Sequence, residues 1–132
     1  MSVLLDTHVL LFWLGGDLRL TSAQAGAIEA ASADEPLLVS DISLWEVATL
    51  LSLGRIRLQR PLRDWLETAV APPLVRRMSI SPAVAAEVAQ LPSSFHRDPA
   101  DRIIVATARV AGAVVATSDG RIVDSGLVET VV

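Results

Sequence analysis

Four acidic residues of this sequence stand where their side chains could act together: Asp6, Glu46, Asp101 and Asp119. Asp6 ends the apolar run at residues 3–5, and Asp119 follows the apolar run at residues 114–116. Carboxylates that converge in one cleft repel each other unless they are protonated or neutralised by a cation. Oxygen donors without cysteine suit a hard divalent cation, so the pattern predicts a site for Mg²⁺, with Mn²⁺ as a substitute.

Two of these acids also suit a structural role at the start of a helix. Glu46 stands three residues after Ser43, which is the spacing of a capping box. Asp101 follows Asp98 at the same spacing. Asp98 would cap the helix, and the positive end of the helix dipole would favour Asp101. Taken one at a time, both acids favour the structural interpretation.

The other two acids give opposite indications. Asp119 precedes Gly120, and this pair is ordinary turn chemistry. Asp6 ends an apolar run with no turn residue beside it, and a carboxylate in that position is costly to desolvate. Asp6 therefore favours function, and the joint placement of all four acids favours a shared site.

The elements that must position these acids alternate along the chain. We predict strands at residues 3–5, 37–39, 75–80, 114–116 and 127–132, the last at a sheet edge. We predict helices at residues 7–14, 21–33, 43–53, 61–71, 82–91 and 99–111. This alternation predicts an α/β fold, a parallel sheet of about five strands with helices on both faces. Ligands bind such sheets at the carboxyl ends of the strands, where the helices also begin, so all four acids map to that edge.

Composition limits the classes of protein. The chain has 132 residues, of which 52% are hydrophobic and 20% charged. These values predict one folded domain, residues 1–132, rather than a disordered chain. Cysteine and lysine are both absent, which excludes disulfides, thiolate zinc sites and the Walker-type phosphate loop. No apolar stretch suits a membrane span or a signal peptide, so we expect a cytoplasmic protein with no membrane partner.

Arginine supplies all of the strong positive charge, and the formal net charge is −4. A nucleic-acid contact would therefore need a local cluster of arginines. Candidates for phosphate contact are Arg55, Arg57, Arg60 and Arg63, together with Arg97 and Arg102 near Asp101. The first group also suits a solvated surface, and the second could pair with the acids. The three tryptophans, Trp13, Trp45 and Trp65, are predicted in the core.

Four segments resemble the PIN-domain family, specifically the VapC-type toxins of bacterial toxin–antitoxin pairs. They run in order along nearly the whole chain and are Leu4-Leu5-Asp6-Thr7-His8, Ser43-Leu44-Trp45-Glu46-Val47-Ala48, His96-Arg97-Asp98-Pro99-Ala100-Asp101-Arg102 and Thr117-Ser118-Asp119. The resemblance implies that the four acids form a catalytic, metal-binding site. Thr7, Ser118 and Asp98 would lie next to these acids and contact them without binding the metal themselves. Relatives often carry a lysine a few residues after the motif glutamate, whereas Leu50 or a neighbour stands there in this chain.

The family resemblance also implies an activity and partners. It implies a magnesium-dependent endoribonuclease that hydrolyses RNA phosphodiester bonds, a small antitoxin that blocks the site, and a homodimer. In this interpretation Asp6 and Asp101 hold a first ion, while Glu46 and Asp119 complete its shell or orient the attacking water.

Two alternatives remain at this stage. A phosphatase-type phosphotransfer domain would use Asp6 as nucleophile, although the second acid usual two residues later is replaced by His8. A non-catalytic interaction module would use the acids only to cap helices. A receiver domain is excluded because it needs a lysine.

Overall fold

The computed structural model describes all residues, 1–132. The five strands are β1 (Val3–Leu5), β2 (Leu37–Ser40), β3 (Val75–Met78), β4 (Val114–Ala116) and β5 (Thr130–Val131). The seven helices are α1 (Thr7–Gly15), α2 (Ser22–Glu29), α3 (Asp41–Ser52), α4 (Leu62–Ala69), α5 (Pro82–Gln90), α6 (Pro99–Ala111) and α7 (Gly120–Val123).

All five strands pair in parallel, in the order β3-β2-β1-β4-β5. The predicted α/β class, the parallel sheet and the edge position of the last strand are therefore confirmed. The first strand lies in the centre, flanked by β2 and β4, and its register pairs Leu4 with Leu38 and Leu5 with Ala116. Two strands are shorter than predicted, since β3 ends at Met78 and β5 spans two residues.

Both faces of the sheet are covered, which explains why its inner strands are continuous apolar runs. Successive strand side chains point to opposite faces. Leu5 accordingly packs with Val9 and Leu10 of α1, whereas Leu4 packs with Ile104 of α6. All of these side chains are fully buried. Truncating either leucine to alanine would cost about 2–5 kcal/mol of folding free energy.

The start of α3 differs from the prediction. Ser40, not a residue near Ser43, caps this helix, because its hydroxyl accepts a hydrogen bond from the Ile42 amide at 3.2 Å. Ser43 is a buried residue inside the first turn. The capping box predicted for Ser43 and Glu46 is therefore wrong, and the Glu46 carboxylate is free for other contacts.

Smaller differences concern turns and tryptophans. Helix α2 ends at Glu29, earlier than predicted, and the expected turn after Asp119 is the short helix α7. Trp13 and Trp65 pack against the core as predicted. Trp45 does not: it is 60% exposed on the outer face of α3, whose buried residues are Ser43 and Val47. No helix of the chain has the length and apolar character needed to cross a membrane.

Candidate active site

Asp6 follows β1 directly and lies beside Thr117, the residue that follows β4. The Asp6 amide donates to the Ala116 carbonyl at 3.0 Å, which extends the strand pairing by one position. The Thr117 hydroxyl then donates to Asp6 Oδ2 at 2.7 Å. Burial raises the pKa of Asp6, and the Thr117 hydrogen bond opposes that rise. The structure thus holds a nearly inaccessible carboxyl at the end of the central strand.

Glu46 reaches the same edge from the second turn of α3. Its Oε1 lies 2.5 Å from the Thr7 hydroxyl, which also lies 2.9 Å from the Ser43 hydroxyl. Because Thr7 begins α1 immediately after Asp6, this chain of contacts joins the starts of two helices. Desolvation raises the pKa of Glu46, the Thr7 bond lowers it, and the negative charges of Asp6 and Asp98 raise it further.

Asp101 lies in the first turn of α6 and is 7% exposed. Asp98 caps this helix as predicted, because its carboxylate accepts from the Asp101 amide at 3.1 Å. His96 Nε2 lies 3.1 Å from Asp101 Oδ2. Desolvation, followed by the charges of Asp6 and three other acids, raises the pKa of Asp101 to about 7.

Asp119 differs from the other three acids because the guanidinium of Arg121 already neutralises its charge. Its carboxylate caps α7 by accepting from the Arg121 amide at 2.9 Å and pairs with the Arg121 guanidinium at 3.2 Å. Burial works against ionisation, but these contacts with Arg121 lower the pKa of Asp119 below its ordinary value. Asp119 therefore has a structural role as a helix cap in addition to its position at the acidic edge.

The structure brings the four predicted acids into one electrostatic group, because the charges of Asp6, Asp119 and Glu46 all act on Asp101. No three Asp, Glu or His side chains of the chain form a ready ligand set. The donor chemistry nevertheless fits a hard divalent cation, since every member is a carboxylate and crowding of like charges is what a cation relieves. Side-chain rotation is required to bring these oxygens onto one ion.

The three predicted supporting residues have different outcomes. Thr7 contacts Glu46, and Asp98 caps the helix of Asp101, as described above. The Ser118 hydroxyl instead accepts from the buried Gln24 side chain at 3.0 Å and makes no hydrogen bond to any of the four acids. Thr117 takes the position that was assigned to Ser118. The register of β1 and β4 explains this position. Leu5 pairs with Ala116, so the residues that follow them, Asp6 and Thr117, lie side by side and point to the same side of the sheet.

A groove of about 920 Å³ begins at Glu46 and Asp98 and extends along α1 and the segment between α3 and α4. Three of the predicted arginines line it: Arg55, Arg57 and Arg60. Arg60 donates to the Thr68 hydroxyl at 2.9 Å, whereas Arg55 and Arg57 are exposed and their side chains make no ion pair or hydrogen bond. Leu50 also lines this arginine groove, close to where relatives often carry a lysine.

The remaining predicted arginines lie outside the arginine groove. Arg63 is exposed on α4 and pairs with Glu67 at 3.4 Å, and Arg97 is exposed without a partner. Arg102 is half-buried, and its guanidinium donates to the carbonyls of Phe95 and His96 at 2.9 and 3.1 Å. These contacts use one guanidinium nitrogen of Arg102, and its predicted RNA contact stays a prediction. Arg19, which the sequence analysis did not select, lines the groove.

Comparisons of the sequence and of the fold with known proteins agree with each other. The PIN domain model matches residues 3–125. The chain is 45% identical over 121 residues to Ribonuclease VapC22 of Mycobacterium tuberculosis, with 92% of this chain and 89% of that protein covered. VapBC2 from Rickettsia felis, solved bound to a DNA fragment from its promoter, superposes with a TM-score of 0.71 at 12% identity over 98% of this chain and 97% of the other. VapBC-1 from nontypeable Haemophilus influenzae gives 0.69 at 15% identity over 98% and 96%. At such identities the solved structures establish the shared fold alone.

Proposed function

Because the chain belongs to the PIN-domain family and to its VapC type, we propose that it is a magnesium-dependent endoribonuclease. It hydrolyses RNA phosphodiester bonds at the acidic edge of the sheet and acts as the toxin of a toxin–antitoxin pair. The proposed nuclease domain is the whole chain, residues 1–132. The ribonuclease name of the 45% identical relative supports the reaction class.

One observation carries this proposal: carboxyls from four separate elements lie at the carboxyl edge of the sheet, near enough for their charges to act on Asp101, and three of them have raised pKa values. Helix capping does not require such an arrangement, because a capping carboxylate gains from ionisation beside the helix dipole. Asp6 and Glu46 cap no helix through their side chains. Carboxyls whose pKa values are shifted by burial and by like charges mark candidate functional sites, and a bound cation would relieve their repulsion.

Each acid has a role that follows from its contacts. We assign Asp6 and Asp101 as the principal ligands, since they are the two most buried of the four acids. Glu46 completes the ligand set or orients the attacking water, and Thr7 fixes its carboxylate. Asp119 completes the set from the rim, where Arg121 holds it. A bound Mg²⁺ would lower the pKa of the attacking water and stabilise charge on the phosphoryl oxygens.

RNA binding must overcome a formal net charge of −4. The arginine groove provides the local positive charge, with Arg55 and Arg57 unpaired and Arg60 beside them. Guanidinium groups bind phosphate through two hydrogen bonds, which suits a strand that passes the acids towards the groove. Arg97 directly precedes Asp98, which lines the groove, and we propose it as a further contact for the same RNA strand.

The proposed partners are a small antitoxin and a second copy of the chain. Solved relatives of the same fold are toxin–antitoxin complexes, among them those from Rickettsia felis and Klebsiella pneumoniae. An antitoxin that covers the acidic edge would block access of RNA to the acids. A homodimer interface on α3 would cover the exposed Trp45.

Cleavage of RNA by the purified chain tests the proposal. We expect cleavage with Mg²⁺ or Mn²⁺ and none after EDTA. Asp6→Asn and Asp101→Asn should abolish cleavage while the fold is retained, as measured by circular dichroism. Full activity in EDTA would exclude the metal mechanism. Release of phosphate from a small phosphate ester without cleavage of RNA would favour the phosphatase alternative, and absence of both reactions would favour an interaction module.

A further inference from the structure

His96 occupies a position that the proposed reaction has not yet used. Its side chain is 17% exposed, and its Nε2 lies 3.1 Å from Asp101 Oδ2. The distance suits a hydrogen bond, yet Nε2 is buried and has no aligned partner. No side chain donates an aligned hydrogen bond to the Asp101 carboxylate.

The loop that carries His96 is fixed by several contacts. Arg102 donates from one guanidinium nitrogen to the carbonyls of both Phe95 and His96. Its guanidinium also lies over the Phe95 ring, 5.8 Å from the centroid. Phe95 is 6% exposed and packs among buried residues next to α6. Its ring meets the His96 ring edge-on at 4.7 Å between centroids.

Two sets of contacts hold the His96 imidazole in position. The Phe95 ring limits the position of the imidazole, and Arg102 holds the backbone on either side of it. Arg102 lies one residue beyond Asp101 on α6, so the same helix carries the carboxylate and the group that anchors the loop against it. The arrangement holds Nε2 of His96 beside one oxygen of the Asp101 carboxylate.

We propose that His96 is a positioning residue that donates from Nε2 to Asp101 Oδ2 and so directs the other carboxylate oxygen to the metal, with Arg102 acting through His96. This inference rests on the proposed function and deepens it. Groups that hydrogen-bond to ligating carboxylates orient them, and their loss typically reduces metal affinity by about 10–100-fold. Asp101 particularly needs such orientation, because its neighbours are other carboxylates that supply no hydrogen-bond donor.

Two substitutions separate the donor from the ring. His96→Phe keeps an aromatic ring against Phe95 and removes the donor, whereas His96→Gln removes the ring and keeps an N–H near the position of Nε2. Binding of Mn²⁺ alone, followed by the electron paramagnetic resonance signal of free Mn²⁺, measures the affinity without RNA. We expect His96→Phe to lose about 10–100-fold in affinity and His96→Gln to recover most of that loss.

Arg102 gives a second, independent measurement. Arg102→Ala should also weaken Mn²⁺ binding, and the double variant His96→Phe with Arg102→Ala should bind no more weakly than His96→Phe alone, because both act on one hydrogen bond. In cleavage assays at saturating Mn²⁺ both single variants should leave the KM for RNA unchanged. A raised KM for Arg102→Ala with unchanged Mn²⁺ affinity would instead identify Arg102 as a phosphate contact and overturn its assignment here.

The result for the unchanged protein separates the two proposals. Mn²⁺ binding that Asp101→Asn abolishes supports the metal site, and its absence overturns the proposed function itself. Where the unchanged protein binds Mn²⁺, equal affinity for His96→Phe overturns the positioning role alone. Equal losses for His96→Phe and His96→Gln would also overturn it, since the donor would then make no difference.

Discussion

The hydroxyl of Thr117 donates a 2.7 Å hydrogen bond to the Asp6 carboxylate across 111 residues of sequence. The same hydroxyl oxygen accepts from the Asp119 amide at 3.0 Å. One small side chain therefore connects the acid that follows the central strand with the acid that follows its neighbour. Its geometry depends directly on the pairing of β1 with β4.

Thr117→Val should raise the pKa of Asp6 further, because the hydroxyl stabilises the ionised carboxylate against the effect of burial. A hydrogen bond to a charged group contributes about 1.5–3 kcal/mol, so we expect metal affinity to fall by roughly 10–100-fold. Thr117→Ser keeps the hydroxyl and should retain most of the affinity. Titration of Mn²⁺ into the three proteins at one pH provides the measurement, and equal affinity in all three would contradict the assignment.

The raised pKa of Asp101 makes the metal-free protein sensitive to pH. Its folded pKa is about 7 against an ordinary value of 3.8, so the folded state binds this proton more tightly than the unfolded state. Stability should therefore fall as pH rises from about 4 to 7 and level off above. Asp101→Asn should flatten this dependence and raise the free energy of unfolding at pH 8 by up to about 4 kcal/mol, since each unit of pKa difference is worth about 1.4 kcal/mol.

Urea unfolding in EDTA at pH 5 and pH 8 measures that difference. Added Mg²⁺ should make the unchanged protein more stable than Asp101→Asn at pH 8. A ligand that binds only the folded, ionised protein stabilises the unchanged protein and not the variant. A variant less stable than the unchanged protein at both pH values would instead show that Asp101 is a structural residue.

Glu46 and Ser40 separate catalysis from capping on the same helix. Glu46→Gln keeps an oxygen near Thr7 and should change the free energy of unfolding by no more than about 0.5 kcal/mol, while cleavage is lost. Ser40→Ala removes the observed cap and should destabilise the protein by about 1 kcal/mol while cleavage persists. Thermal melts and RNA cleavage on both variants provide the comparison. The reverse pattern would assign Glu46 to helix stability.

The arginine groove predicts a salt-dependent contribution to RNA binding. Arg55→Ala with Arg57→Ala should weaken binding to all RNA sequences and reduce the slope of log affinity against log salt by about one unit for each lost phosphate contact. Cleavage at saturating RNA should change much less. Arg76→Ala is the matched control, because Arg76 is exposed on β3 and lies outside the groove. An unchanged slope in the double variant would place RNA elsewhere on the surface.

The sheet and the edge at which the acids meet follow from features that the sequence displays. Continuous apolar runs such as Val3–Leu5 and Val114–Ala116 identify strands covered on both faces, and the intervening helices dictate parallel pairing. Asp6 and Asp119 then fall at the carboxyl edge without any knowledge of contacts. Gly16 and Gly112 end α1 and α6 with positive φ, as glycine after a helix predicts.

Tertiary contacts decided what the sequence left open. Ser40 and Ser43 both suit an N-cap, and only the pairing of β2 shows that Ser40 is the last strand residue and therefore the cap. Arg102 carries the same charge as Arg57, but its neighbours are two carbonyls and a phenyl ring. Trp45 lies in an apolar segment, yet its position on α3 leaves it exposed. The position of each residue at a strand end or on a helix face determines its contacts and exposure, and the type of residue alone does not predict that position.

The sheet order has a consequence for when the acidic edge forms during synthesis. The central strand β1 is synthesised well before its partner β4, which ends at Ala116. Until that segment emerges, Asp6 has neither the Thr117 hydroxyl nor Asp119 beside it. A chain released early by the ribosome lacks the pairing that completes the site. Long-range closure of the sheet thus delays completion of the acidic edge until residues 114–117 have left the ribosome and can pair with β1.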